Sequence, residues 1–270
     1  MTTIAWEYSD RRVLAALRFV DVFGRTPRGP VTVRADGLRY IRPRPGEIVI
    51  TSAPGLEAYA ASFTAPPSTP AIGSVAVPLD LWPADMALAP RRFALMLPRD
   101  PDPANAGTAG SLFQSIIVPL LPAPSATPPG LAAALRVVVT RSTDSARVEG
   151  ALVRLRPSGG LPASRALTGA SGEAVLLVPS VPLSSPGSGG TVVGDVAADL
   201  DAIVDPALAR FNALADLAAA RDAAMARTGP LIDPDDLERR LSGSATPARS
   251  IRIAAGETRI PSPPEITWSP

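Results

Sequence analysis

Cysteine, histidine and lysine are all absent from the 270 residues. These side chains most often act as general base, nucleophile, metal ligand or Schiff-base amine. A Ser-His-Asp triad, a Cys-His pair, a Ser-Lys dyad, a P-loop lysine and any Cys/His zinc site are therefore excluded by composition. All 26 basic residues are arginine, a bias that a GC-rich genome produces without functional cause. Long apolar runs are missing too: none approaches the roughly 18 residues of a membrane span. Residues 1–23 show no signal-peptide pattern, because Arg11, Arg12 and Arg18 bracket the short apolar run 13–17. With 26 basic against 25 acidic residues, the net charge of +1 gives no broad electropositive field, so nucleic acid is not an expected partner.

What the chain does have is 46% apolar residues, enough for a sizeable core, and 32 prolines with 21 glycines that cut it into short apolar runs. Runs of about 5 to 8 residues suit strands better than helices, and strands are expected over 14–23, 31–35, 38–42, 47–52, 57–64, 73–79, 91–97 and 112–121. The proline-rich stretch 122–130 reads as a stiff linker, dividing an N-terminal β-sandwich, 1–121, from a C-terminal one, 131–270. In the second, strands are expected at 135–140, 152–156 and 174–178, a flexible loop at 184–190, and one or two strands within 191–205. A helical insertion is expected over about 206–242. Its first helix, 206–227, places Leu208, Phe211, Leu214, Ala215, Ala218 and Met225 on one stripe, most simply as core cover; its second, 234–241, is capped by Asp233. Residues 250–254 and 257–261 read as a hairpin or two edge strands. Three features recur in order, Leu17-Arg18 with Leu135-Arg136, Gly29 to Val33 with Gly150 to Val153, and Gly46 to Ile50 with Gly172 to Leu176. They point to an internal duplication, although two small sandwiches share such spacing by default.

Carboxylates alone can support glycoside hydrolysis or calcium binding. Asp195, Asp199, Asp201 and Asp205 form the densest group, and Asp199 and Asp201 share a face if they lie in a strand. The second group, Asp233, Asp235, Asp236 and Glu238, is explained by helix capping and the macrodipole. No EF-hand pattern is present, so no catalytic, cofactor-binding or metal-binding residue is assigned and no cofactor is expected. Arg91-Arg92 and Arg239-Arg240 read as solvated pairs, with bidentate salt bridges across a protein interface as the alternative. Trp6, Trp82 and Trp268 read as core or interface anchors, with a sugar platform as the alternative.

The segments Val148 to Leu155, Thr168 to Ala174 and Val178-Pro179 resemble the carboxypeptidase regulatory-like domain, a small immunoglobulin-like or transthyretin-like sandwich. The resemblance implies a binding or scaffolding module. The whole layout also resembles two-sandwich proteins encoded with phage-tail-like extracellular contractile injection systems. Carrying that likeness are a strand like 17–23, a segment like Val77-Pro78-Leu79-Asp80 through 93–99, and Leu120-Leu121-Pro122-Ala123-Pro124. It implies a bacterial, non-enzymatic structural protein at the baseplate or sheath, binding other subunits or copies of itself, made in the cytoplasm and released with the particle. The alternatives are a surface or secreted glycan-binding or ligand-binding module using Trp82 or Trp268, and a carboxylate-only hydrolase.

Overall fold

Interruption by proline and glycine, with alternation of apolar residues between, commits the chain to strands. A computed structural model describes residues 12–61, 67–181, 195–225 and 231–270. Trp6 and the loop expected at 184–190 lie outside them. The first half runs β1 (Ala15–Val20), β2 (Val31–Arg34), β3 (Arg39–Ile41), β4 (Glu47–Ser52), α1 (Glu57–Ala61), β5 (Val75–Pro83), β6 (Arg91–Leu97) and β7 (Ile116–Pro119). Two sheets result, β3-β4-β1-β7 and β2-β5-β6. Leu17, Phe19 and Ile48 of one meet Val33, Leu79 and Leu95 of the other in a single core, the layering of a β-sandwich.

The second half runs β8 (Ala133–Arg141), β9 (Arg147–Glu149), β10 (Leu152–Pro157), β11 (Ser164–Leu167), β12 (Glu173–Val178), β13 (Val196–Ile203), β14 (Arg210–Asn212), α2 (Leu217–Met225), α3 (Pro234–Leu241), β15 (Arg249–Ile253), β16 (Thr258–Arg259) and β17 (Glu265–Trp268). Its sheets are β11-β10-β13-β15 and β12-β8-β9-β14, with β16 and β17 also on β8. Leu135, Val139 and Leu176 face Val153, Leu155 and Leu200 across a second core.

The strand pairing of the first half recurs in the second. β1 has antiparallel β4 on one side and parallel β7 on the other; β8 has antiparallel β12 and parallel β17. Likewise β2-β5-β6 repeats as β10-β13-β15. The register fixes the correspondence. Phe19 N–H donates to Gly46 O and Val139 N–H to Gly172 O, both at 2.8 Å. Both glycines have positive φ, 72° and 71°, where an L side chain is strained. Gly46 and Gly172 therefore match as the sequence indicated, whereas Leu17-Arg18 corresponds to Val137-Val138, two residues beyond the pair that sequence alignment selects. The halves differ at the third strand, since β3 adds to β4 but β11 adds to β10.

Two expected elements are corrected. Residues 57–61 are helical, because Leu56 and Tyr59, three apart, are both buried and the Glu57 carboxylate accepts the Gly55 N–H. Residues 206–213 are not helical. Asp205 organises a turn by accepting from Ala207 and Ala209 N–H, and Phe211 is drawn into β14 opposite Val148 and onto Trp268, with ring centroids 5.7 Å apart. Leu208, Leu214, Ala215 and Ala218 of the expected stripe are exposed. Of the two readings of 250–254 and 257–261, a hairpin or two edge strands, the structure has the second: β15 ends one sheet and β16 pairs with β8 in the other.

The stretch 122–130 lies packed along the molecule. Ala123 N–H donates to Ala87 O and Ala89 N–H to Leu121 O, and the Arg136 guanidinium of β8 donates to the carbonyls of Pro124 and Ala126. Ala126 is buried with Val175 and Leu177 of β12 and with Val22 and Phe23.

Candidate functional site: an arginine and carboxylate junction

The alternation Leu152-Val153-Arg154-Leu155-Arg156 in β10 turns Val153 and Leu155 to the core and Leu152, Arg154 and Arg156 to the outer face. On that face Asp201 of β13 stands opposite Arg154, and Arg165 of β11 is the other neighbour. A face so made is half apolar and half charged, and it needs a cover that is the same. The sequence Pro-Asp-Asp-Leu-Glu-Arg-Arg-Leu of α3 supplies one. Asp233 caps it by accepting from Asp235 and Asp236 N–H, and its cap position and Pro234 set where it starts. Leu237 is fully buried against Leu121, Leu152, Leu167, Ile203 and Ile232, while Asp235 and Glu238, three apart, reach the arginines.

The ion pairs form one continuous chain. Arg154 binds Asp201 through both oxygens at 2.8 Å, Arg156 adds to Asp201 at 2.6 Å, and Arg154 also reaches Glu238 at 3.0 Å. Glu238 and Asp235 share Arg165 at 3.0 and 2.8 Å. Asp235 then meets Arg91 of β6 at 2.5 Å, with Asp233 at 3.6 Å from the same guanidinium. Arg91 is 0% exposed; its remaining donors go to the carbonyls of Pro119 and Arg92. Next to it, the preceding loop closes the outer edge of β6: Arg92 N–H donates to Ile232 O at 2.8 Å and Ala94 N–H to the Asp233 carboxylate at 3.1 Å. The network thus ties β6 of the first half to β10, β11 and β13 of the second through α3.

The charge states follow from the geometry. Burial pushes the Asp201 carboxyl up, but hydrogen bonds and charge from Arg154 and Arg156 outweigh it and hold the group below the usual carboxylate range. Asp235 is held low in the same way, burial being outweighed by Arg91 and then Arg165. Both are anchored anions with their oxygens engaged by guanidinium groups, a poor arrangement for a general acid or a nucleophile.

The residues singled out in the sequence, Trp6 apart, have these places. Asp199 and Asp201 do share a face, but Asp199 is exposed while Asp201 is engaged by two arginines. Asp195 pairs with Arg259, and Asp205 with Arg240, both at 2.8 Å. Among the described residues no group of three or more carboxylates is arranged to hold a metal ion. Arg239 and Arg240 are paired with Asp236 near the surface, as expected, but Arg91 is not solvated. Its burial was readable in principle, since Arg91, Phe93, Leu95 and Leu97 share one period-2 face. Trp82 is 6% exposed with the Arg34 guanidinium over its ring at 5.7 Å. Trp268 is 7% exposed, stacked on Phe211, over which Arg141 lies at 4.3 Å. Neither ring offers a free face to a sugar. Among the described residues no helix is long and apolar enough to cross a membrane.

Comparison with protein-family models, with curated proteins and with solved structures finds no match.

Proposed function

We propose that this chain is a non-enzymatic assembly protein that works by binding other protein subunits. The observation that carries the reading is the junction itself: the carboxylates of α3 and Asp201 are consumed, with Arg91, Arg154 and Arg165, in bracing the two halves against each other. A chain that spends its carboxylates on internal arginines is built to hold a shape. We further read each half as an immunoglobulin-like or transthyretin-like domain, the second of the carboxypeptidase regulatory-like kind. The repeated parallel pairing of first and last strands supports that reading. The setting we favour, from the sequence resemblance, is the baseplate or sheath of a bacterial phage-tail-like contractile injection particle, assembled in the cytoplasm and released with it. A glycan-binding role is weakened by the burial of Trp82 and Trp268.

The test is an affinity pull-down of the tagged chain from its native host, with mass spectrometry and negative-stain microscopy of the eluate. Tube, sheath or baseplate-like proteins on rod-shaped particles are expected. A clean monomer without partners would remove the reading.

A further inference from the structure

The repeat makes β6 and β15 equivalent edge strands. Aligning the paired strands through Leu81 opposite Arg91 and Leu200 opposite Arg249 also matches Asp80-Leu81 with Asp199-Leu200. The two first residues behave alike: Arg91 donates to Pro119 O at the end of β7, and Arg249 donates to the carbonyls of Ser262 and Pro263 just before β17. Arg92 then corresponds to Ser250 and Ala94 to Arg252. On β6 these positions turn their N–H groups outward and both are taken, one by a carbonyl and one by an aspartate, from residues 232 and 233.

On β15 nothing among the described residues plays that part. β15 ends its sheet, and the carbonyl of Arg252, pointing away from β13, accepts only the side chain of Arg259 at 3.1 Å. Because backbone groups alternate sides along a strand, the Ser250 and Arg252 N–H groups lie on this same open edge. Beside it runs a groove of about 540 Å³ whose walls include Arg249, Ile251, Arg252, Arg259 and Ile260. Ile260 is 66% exposed. Arg252 is exposed and has no carboxylate partner among the described residues, and Arg249 bonds only carbonyls. Arg259 is matched by Asp195 and Glu257, so the groove offers Arg249 and Arg252 without a carboxylate partner, an exposed Ile260 and two backbone donors in line.

We infer that the β15 edge is a docking site for an extended, aspartate-bearing segment of another protein subunit. It adds as residues 232 and 233 add to β6, its carbonyl taking Ser250 N–H, its carboxylate taking Arg252, and an apolar side chain resting on Ile260. An open edge invites such strand addition, and Arg252, without a carboxylate partner among the described residues, favours an acidic strand. The inference rests on the assembly reading for the source of the partner only.

A synthetic peptide of residues 231–241 is the probe. The chain's own copy stays on β6, because tethering gives it a high effective concentration there, so added peptide is left β15. Amide exchange on the full chain should show new protection at Ser250 and Arg252. Binding should weaken about tenfold in Arg252→Glu, or when the peptide carries Asp233→Asn, as expected for loss of a charge-assisted bond. Ser250→Pro should remove it, at an edge position where proline is tolerated. Protection absent, or confined to Arg92 and Ala94, overturns the proposal, as does unchanged affinity in Arg252→Glu. Protection that appears without peptide and grows with protein concentration overturns the foreign partner and assigns the edge to a second copy. The readout uses the isolated chain, so it can fail while particle association stands, and the reverse.

Discussion

Arg91 shows how one buried side chain decides between solvation and structure. A guanidinium at 0% exposure is stable only if its donors are matched, and here two carbonyls and Asp235 match them. Arg91→Ala should therefore cost on the order of 3–5 kcal/mol in chemical denaturation, since it strips Asp235 of its strongest partner and opens a cavity. The surface pair partner Arg239→Ala, 73% exposed at the side chain, should stay within about 0.5 kcal/mol. Similar losses for the two would mean that the network is not what holds the halves. Gly172 poses a backbone version of the same test. At φ +71°, an added Cβ would meet the Val139 carbonyl at 2.7 Å, an atom fixed in the ladder. Gly172→Ala should destabilise by more than about 1 kcal/mol, whereas Gly55→Ala, with nothing within 4 Å of its Cβ position, should carry the φ penalty alone.

Among the elements, α3 joins the halves from a single start signal. Asp233 serves both its N-cap and the Ala94 amide of β6, so Asp233→Ala should fray the helix and uncover the edge together. The loss of the cap is worth about 1–2 kcal/mol. Hydrogen exchange at Arg92 and Ala94 should accelerate in step with Asp235 and Asp236; acceleration of the helix alone would separate the two roles. Sequence reading found this helix from its cap and found β2, β4, β6 and β12 nearly to the residue, because alternation and turn chemistry are local. It missed α1, where Leu56 and Tyr59 needed three-residue spacing in a run too short to show a period. It extended α2 backward through Phe211, where stacking on Trp268 outweighs the helical composition around it. β17 was missed because its pairing with β8 is parallel and far away in sequence. The junction was legible only in pieces: the carboxylates were named, but nothing local announces that Arg154 and Arg165 will face Glu238.

At the scale of the molecule, the 122–130 strap, the apolar group around Leu237 and the ion chain from Asp201 to Arg91 cross between the halves, beside the bonds of residues 232 and 233 to β6. The strap and the apolar group do not titrate. The ion chain does, and its sign is fixed by the lowered carboxyls of Asp201 and Asp235. A carboxyl held lower in the fold than in the unfolded chain contributes stability that is complete above the ordinary value of about 4 and is lost as pH falls through its folded value. Acid therefore withdraws the electrostatic tie and leaves each core of Leu, Val and Ile intact. At neutral pH, thermal unfolding followed by calorimetry should be a single transition; in acid, once these lowered carboxyls are protonated, it should separate into two, one for each sandwich. The Asp201→Asn, Asp235→Asn double variant, which has nothing left to protonate at those positions, should show the separation already at neutral pH and lose little more on acidification. If the double variant still loses as much stability in acid as its parent, the coupling of the halves resides in the strap and the apolar contacts, and the arginines serve only the local packing of α3.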